Sequence, residues 1–125
     1  MQIINSHFGL SRAERLLQAQ LMIGATWLGS VPPKTPAILL GDFNSVRTSS
    51  AYRLIAAHLR DVRTFIGTTR AFHTFPTRFP SLAVDHIFVN AALHPSKLSV
   101  HRTPLARIAS DHYPLVAELT KAKEK

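Results

Sequence analysis

The sequence contains no cysteine. That absence excludes a disulfide framework, a thiolate zinc site and a cysteine nucleophile together. Acidic side chains are scarce: 7 Asp and Glu stand against 15 Lys and Arg, a formal net charge of +8 over 125 residues. No apolar run approaches the roughly 18 residues a membrane-spanning helix needs, so no transmembrane segment is expected. Met1-Gln2-Ile3-Ile4-Asn5-Ser6-His7 lacks the basic start and apolar core of a secretory signal. The expectation from these absences is a cytoplasmic protein. Internal repeats, low-complexity stretches and convincing linkers are missing as well.

What is present is a globular balance, 46% apolar and 18% charged, which argues against disorder. The length suits one domain and is short for two. We read residues 1–120 as that domain and residues 121–125 as a basic tail. The tail carries three Lys and one Glu, so the body keeps 8 − 2 = +6. A positive surface commonly meets phosphate, in nucleic acid or on an anionic membrane. A solvated basic face that maintains solubility accounts for the same charge equally well.

Gln2–His7 reads as a short strand. Ser11-Arg12-Ala13-Glu14 has the form of a capping box, and a helix is expected from there to about Gly29, with Leu16, Leu17, Leu21, Gly24 and Leu28 on one face. The prolines of Val31–Pro36 exclude helix. Ala37–Leu40 is the next expected strand. Ser49 or Ser50 can cap a second helix through about Leu59 that buries Tyr52, Ile55 and Leu59. Residues 65–82 read as loop with at most one edge strand. Val84–Val89, Lys97–Arg102 and Pro114–Leu119 read as three further strands. Ala37–Leu40 and Ile87-Phe88-Val89 are apolar at consecutive positions, which implies a sheet covered on both faces. Two helices cover one face. Nothing else in the sequence obviously covers the other, so either the chain dimerises there or a layer is missing.

Groups suited to catalysis concentrate at strand ends: His7, Asp42 and Asn44, Asp85, then Asp111 and His112. Three of the seven acidic residues fall in these short stretches. Strand-end loops are where α/β proteins place reacting groups. Singly, each has a plainer explanation. Gly41–Asn44 is rich in turn formers, Ser110-Asp111 suits an Asx-type turn, and a lone histidine is more often structural.

Together they match a known order. Asn5-Ser6-His7-Phe8-Gly9-Leu10, Leu40-Gly41-Asp42-Phe43-Asn44, Val84-Asp85-His86-Ile87-Phe88-Val89 and Ser110-Asp111-His112-Tyr113-Pro114-Leu115 resemble the motifs of the endonuclease/exonuclease/phosphatase superfamily, the deoxyribonuclease-like group. His7–Arg12 and Thr74-Phe75-Pro76-Thr77 are further similar to bacterial members found beside cardiolipin synthases.

The resemblance implies an α/β (α+β) fold: half of a four-layer sandwich, one mixed β-sheet with about two helices on one face. It covers the C-terminal half of the family domain. The N-terminal half, which supplies the glutamate that principally binds magnesium, has no counterpart here. Glu14 is committed to the capping box, Glu118 lies in the last strand and Glu124 in the tail.

The implied activity is Mg²⁺-dependent hydrolysis of a phosphodiester by direct water attack, with Mn²⁺ able to substitute. This fragment is expected to be weak or inactive alone. In the family pattern Asp42 orients and deprotonates the water, Asn44 donates to a phosphoryl oxygen, and Asp85 holds His112. His7 meets the phosphate from the opposite side, and Asp111 binds the metal or supports a ligand. The expected partners are a phosphate-ester substrate (nucleic acid, phospholipid or small phosphodiester) and a separate N-terminal half. The alternative is a non-catalytic basic fragment that binds nucleic acid or anionic lipid. Arg70 and Arg78 are candidate phosphate contacts. His58, His73, His86, His94 and His101 carry no expected role.

Overall fold

A computed structural model describes residues 1–66 and 72–123. Strand β1 (Gln2–His7) leads to helix α1 (Arg12–Ile23), strand β2 (Ala37–Asp42), helix α2 (Ser50–Ala56) and the two-residue strand β3 (Arg60–Asp61). Strands β4 (Asp85–Val89) and β5 (Leu93–Val100), the short helix α3 (Pro104–Ala109) and strand β6 (Leu115–Lys121) complete the chain. The main sheet has the order β1-β2-β4-β3, with β1 parallel to β2 and the other pairs antiparallel. A second sheet is the antiparallel pair β5-β6. The fold is thus α+β, with a mixed four-stranded sheet and few helices.

The consecutive apolar residues of β2 and β4 divide between two cores, as strand alternation requires. Ile4, Leu39, Phe43 and Phe88 face the helices with Ala19, Tyr52 and Ile55. Val62, Ile87 and Val89 face the other way, against Leu93 and Leu98 of β5 and partly buried Leu115, Ala117 and Leu119 of β6. The expectation that nothing covers the second face is therefore corrected: the β5-β6 hairpin covers the β4 side of it. Toward β1 the cover ends, and Ile3 is 56% exposed.

Two helix expectations change. Ser11 caps α1 as expected, its hydroxyl accepting from the Glu14 N–H at 3.1 Å. The helix stops at Ile23 rather than near Gly29, because Gly24 turns extended and closes on Leu21 O. A 3-10 turn at Leu28–Ser30 then buries Leu28. The face turned inward is that of Ala19, with Met22 and Ile23, while Leu17 and Leu21 are 66% and 54% exposed. The small Ala19 lets the helix lie close, and the leucines lie outside that contact. Ser49 caps α2, accepting from Tyr52 N–H, and α2 ends three residues before half-buried Leu59.

Strand β5 starts at Leu93, earlier than expected, since an irregularity between Pro95 and Lys97 shifts its buried positions from Leu93 and Pro95 to Leu98. A break in the two-residue period hides a strand from sequence reading. Helix α3 was not anticipated, although Thr103 caps it and Pro104 opens it. Of the edge strand expected within residues 65–82, the described residues show a single bridge between Phe75 and Leu82. Arg70 and Glu124 lie outside the described residues.

Phe88 is fully buried at the centre of β4, its ring 5.8 Å from Phe43 and 5.4 Å from Tyr52. Phe88→Ala is expected to cost about 3–5 kcal/mol, read as a lower urea midpoint.

Candidate active site

The parallel pairing of β1 with β2 sets His7 opposite Asp42, and the antiparallel pairing of β2 with β4 sets Asp42 opposite Asp85. Three strand ends thus meet at one edge of the main sheet. Gly41 makes the close approach possible: its φ is +141°, and a Cβ there would stand 1.9 Å from Ser6 O. Only glycine tolerates that combination.

His112 arrives on the segment between α3 and β6. Its Nδ1–H donates to Asp85 Oδ2 at 2.7 Å, while its Nε2 lies 3.5 Å from Asp42 Oδ2. One imidazole therefore spans both carboxylates. His7 approaches Asp42 Oδ2 from the other side, at 3.6 Å, with its side chain 75% exposed. Asn44 adopts φ +46°, and its Nδ2 donates to Phe8 O at 2.6 Å. Its backbone N–H donates to Asp42 Oδ1 at 2.9 Å. Five of the six residues singled out from the sequence thus converge. Asp111 stands at the margin, 76% exposed, with Oδ1 3.9 Å from His112 Nε2.

Burial alone lowers the pKa of His112, but the hydrogen bond to Asp85 and the charges of Asp85, Asp42 and Asp111 outweigh it, and the net shift is upward. The site favours an imidazolium. An imidazolium so held can offer a proton or hydrogen bond to a phosphoryl oxygen, and Asp42 beside it can take one from an attacking water.

Sequence reading missed the supports. Thr74, with no exposed surface, donates its hydroxyl to Asp85 Oδ2 at 2.5 Å. The Phe75 ring lies 4.6 Å from the His112 ring, and Thr77 N–H bonds to Asp111 O at 2.9 Å. The Thr-Phe-Pro-Thr string was legible only as a family mark. Asp61 and Arg63 gave no signal at all, being two charged residues in a stretch already rich in them, Arg60-Asp61-Val62-Arg63-Thr64. His86 points away from the site, as its place after Asp85 requires, and is buried on the helix side. His58, His101 and Arg78 are exposed, and none is among the residues lining the cavity at this edge.

The cavity at this edge is about 350 Å³, lined by Asp42, Asp85, His112, Ser110 and Tyr113 among others. A larger hollow of about 660 Å³ sits at the opposite end of the sheet, among residues such as Leu28, Val31 and Leu93. The convergent acid–base groups, not the volume, mark the smaller one as the site.

A model of the endonuclease/exonuclease/phosphatase family matches residues 4–112. The chain belongs to that family. The family's named activities are hydrolytic, nuclease and phosphatase. The uncharacterized protein YbhP of Escherichia coli K12 is 37% identical over 116 residues, covering 90% of this chain and 44% of the relative. A mannosyl-6-phosphatase of Bacteroides thetaiotaomicron shares 25% identity at TM-score 0.76, covering 94% of this chain and 50% of that one. A functionally unknown conserved protein of Enterococcus faecalis V583 has the same fold, with 22% identity and TM-score 0.79 over 96% of this chain and 50% of that chain. So does TDP2 of D. rerio, seen with a single-stranded DNA product (19%, TM-score 0.72, 94% and 55%). The chain thus spans about half the length of the family relatives it matches.

Family members generally use a divalent cation, and the donors here accept that test. Asp42, Asp85 and His112 place one ligand atom each within 4.8 Å of one another. Asp42 Oδ2 accepts no hydrogen bond among the described residues, but Asp85 Oδ2 is already committed to Thr74 and His112. A hard cation held by one or two carboxylates, with water and phosphate completing its shell, is the form this set fits.

Proposed function

We propose that this chain is the catalytic C-terminal half of a Mg²⁺-dependent phosphodiesterase, residues 1–120 forming the half-domain and 121–125 its basic tail. The observation that carries the reading is His112 bridging Asp85 and Asp42 at 2.7 and 3.5 Å beside His7. Asp42 orients the attacking water and accepts its proton. The Asn44 side chain, with one N–H on Phe8 O, holds the second toward a phosphoryl oxygen. Asp85 fixes the His112 tautomer and supports its cationic form at the phosphate. Exposed His7 meets the phosphate from across the site as donor or general acid. Asp42 would hold Mg²⁺ or Mn²⁺, with Asp111 as a further ligand or as support for one, and the cation would neutralise charge on the phosphoryl oxygens.

The subfamily likeness to bacterial members found beside cardiolipin synthases belongs to the same proposal. So does a separate N-terminal half, supported by the half-length match to relatives and by the open apolar edge at Ile3. With that half supplied by fusion or co-expression, the protein is expected to hydrolyse a generic phosphodiester and to lose activity to chelator. Alone, the chain is expected to bind Mg²⁺ only at millimolar concentrations, since a short set of anionic oxygens makes a weak site. Calorimetric titration checks this, and binding at micromolar Mg²⁺ would reveal a ligand not yet counted. Direct water attack inverts configuration at phosphorus; retention on a chiral phosphorothioate would overturn the mechanism. Nucleic-acid or vesicle binding without turnover in the completed protein would favour the non-catalytic alternative.

A further inference from the structure

Beside the site, the interior holds a charge that the proposed chemistry does not use. Arg63 is 4% exposed, and its neighbours Asp61 and His86 are 2% and 1% exposed. Burying a guanidinium is costly unless its N–H groups find partners, and the Nε of Arg63 finds none among the described residues. Its Nη donors go to Asp61 and to strand β4, which carries Asp85. Nη2 donates to the carbonyl of Asp85 at 2.9 Å. Nη1 donates to Nδ1 of His86 at 3.0 Å.

That second bond fixes the histidine. With Nδ1 accepting, the ring proton sits on Nε2, which donates to the carbonyl of Ser45 at 2.5 Å. Ser45 follows Asn44 in the loop leaving Asp42. A guanidinium and a neutral imidazole therefore tie the main chain at Asp85 to the Asp42–Ser45 loop, just past the Asp42–Asp85 pair and beside the Phe43 N–H to Val84 O bond at 3.0 Å. Asp61 holds the guanidinium in place, its Oδ2 3.3 Å from Nη1, while its Oδ1 accepts from the Arg63 backbone N–H at 2.9 Å. The Tyr52 hydroxyl donates to Asp61 from the far side at 2.6 Å.

We propose that Arg63 is a positioning residue: acting through His86 and the Asp85 main chain, it sets the separation of Asp42 and Asp85 that lets one imidazole, His112, meet both. Its consequence for turnover rests on the proposed function, but the geometry is testable without turnover. The His112 Nδ1–H hydrogen-bonded to Asp85 gives a downfield proton resonance, whose exchange with water reports how well the pair is held. Arg63→Met keeps the apolar stem and removes both contacts; Arg63→Lys keeps a charge but cannot reach both acceptors at once. Tyr52→Phe removes a bond at the far end of the same network and serves as the stability control.

Exchange of the His112 proton is expected to quicken by about tenfold or more in Arg63→Met, and by less in Arg63→Lys, while Tyr52→Phe stays within about twofold. Thermal unfolding of all three places these changes on one stability scale. If Arg63→Met does not fold, Arg63→Lys carries the test against Tyr52→Phe. Wild-type exchange in the Arg63 variants overturns the proposal. So does equal loosening in a Tyr52→Phe protein of matched stability, which would make Arg63 structural only. An intact resonance in wild type with no hydrolysis by the completed protein would count against the catalytic reading instead.

Discussion

His112→Ala is expected to lower kcat of the completed protein on a phosphodiester by about 10²-fold or more, with a smaller change in KM. The reason lies in what the ring touches. Bridging Asp85 and Asp42, it acts on protons and charge that develop as the phosphoryl group transfers, and binding of the resting substrate depends on it less. Asp42→Ala and His7→Ala are expected in the same range. Asp85→Asn should be nearly as damaging as loss of the histidine, because an amide can donate to Nδ1 and select the wrong tautomer. Steady-state rates on a chromogenic phosphodiester check the series. His58→Ala and His94→Ala, both remote from the cluster, should stay near wild type; a tenfold loss in either would mean that the site is drawn in the wrong place.

Much of that site was legible because its residues lie at the ends of strands whose apolar runs are unmistakable. Asp42 follows and Asp85 opens stretches with such runs, His7 ends the short strand β1, and the pairing of β1, β2 and β4 brings them to one edge. Asp111 was also read from its motif, yet it stands at the margin of the cluster. What could not be read was the support. Thr74 reaches Asp85 through a loop with no period, and Arg63 reaches it through a two-residue strand and a 3-10 turn too short to leave any pattern. In the fold, Leu17 and Leu21 misled because they are larger than Ala19. Helix packing here rewarded the small residue that permits close approach. The hairpin's role was obscured for a different reason: the irregularity at Pro95 breaks the alternation by which β5 would have been matched to the uncovered face.

Acid should destabilise the fold through His86, a residue that does no chemistry in this reading. Burial, reinforced by the Arg63 charge, pushes its pKa down from the usual 6.5 to about 4. Above pH 6.5 neither the folded nor the unfolded chain protonates it, and stability is undiminished. Between pH 6.5 and about 4 the unfolded chain takes up a proton that the folded one refuses, so stability falls as pH falls. Below about 4 both forms are protonated and the loss is complete, at roughly 3 kcal/mol for a shift of this size. His112 works in the opposite sense. Its raised pKa contributes stability that is present in acid and is lost as pH rises through its folded value. Urea midpoints across this pH range, compared between the wild-type chain and His86→Gln, isolate the buried group. The variant should lose most of the slope between pH 6.5 and 4, and an unchanged slope would place the acid sensitivity elsewhere.

The edge that gathers His7, Asp42, Asp85 and His112 is assembled from four segments far apart along the chain, and its strands do not pair in simple sequence order. Each pairing must close a long loop before any contact repays the entropy. No single hairpin or helix of this protein contains two members of the site in working register. His112 can meet Asp85 and Asp42 together only after β4 has docked on β2 and the β5-β6 hairpin has returned. Closure of the full His112–Asp85–Asp42 set during refolding should therefore follow β2-β4 docking, which makes the site a reporter of that long-range pairing.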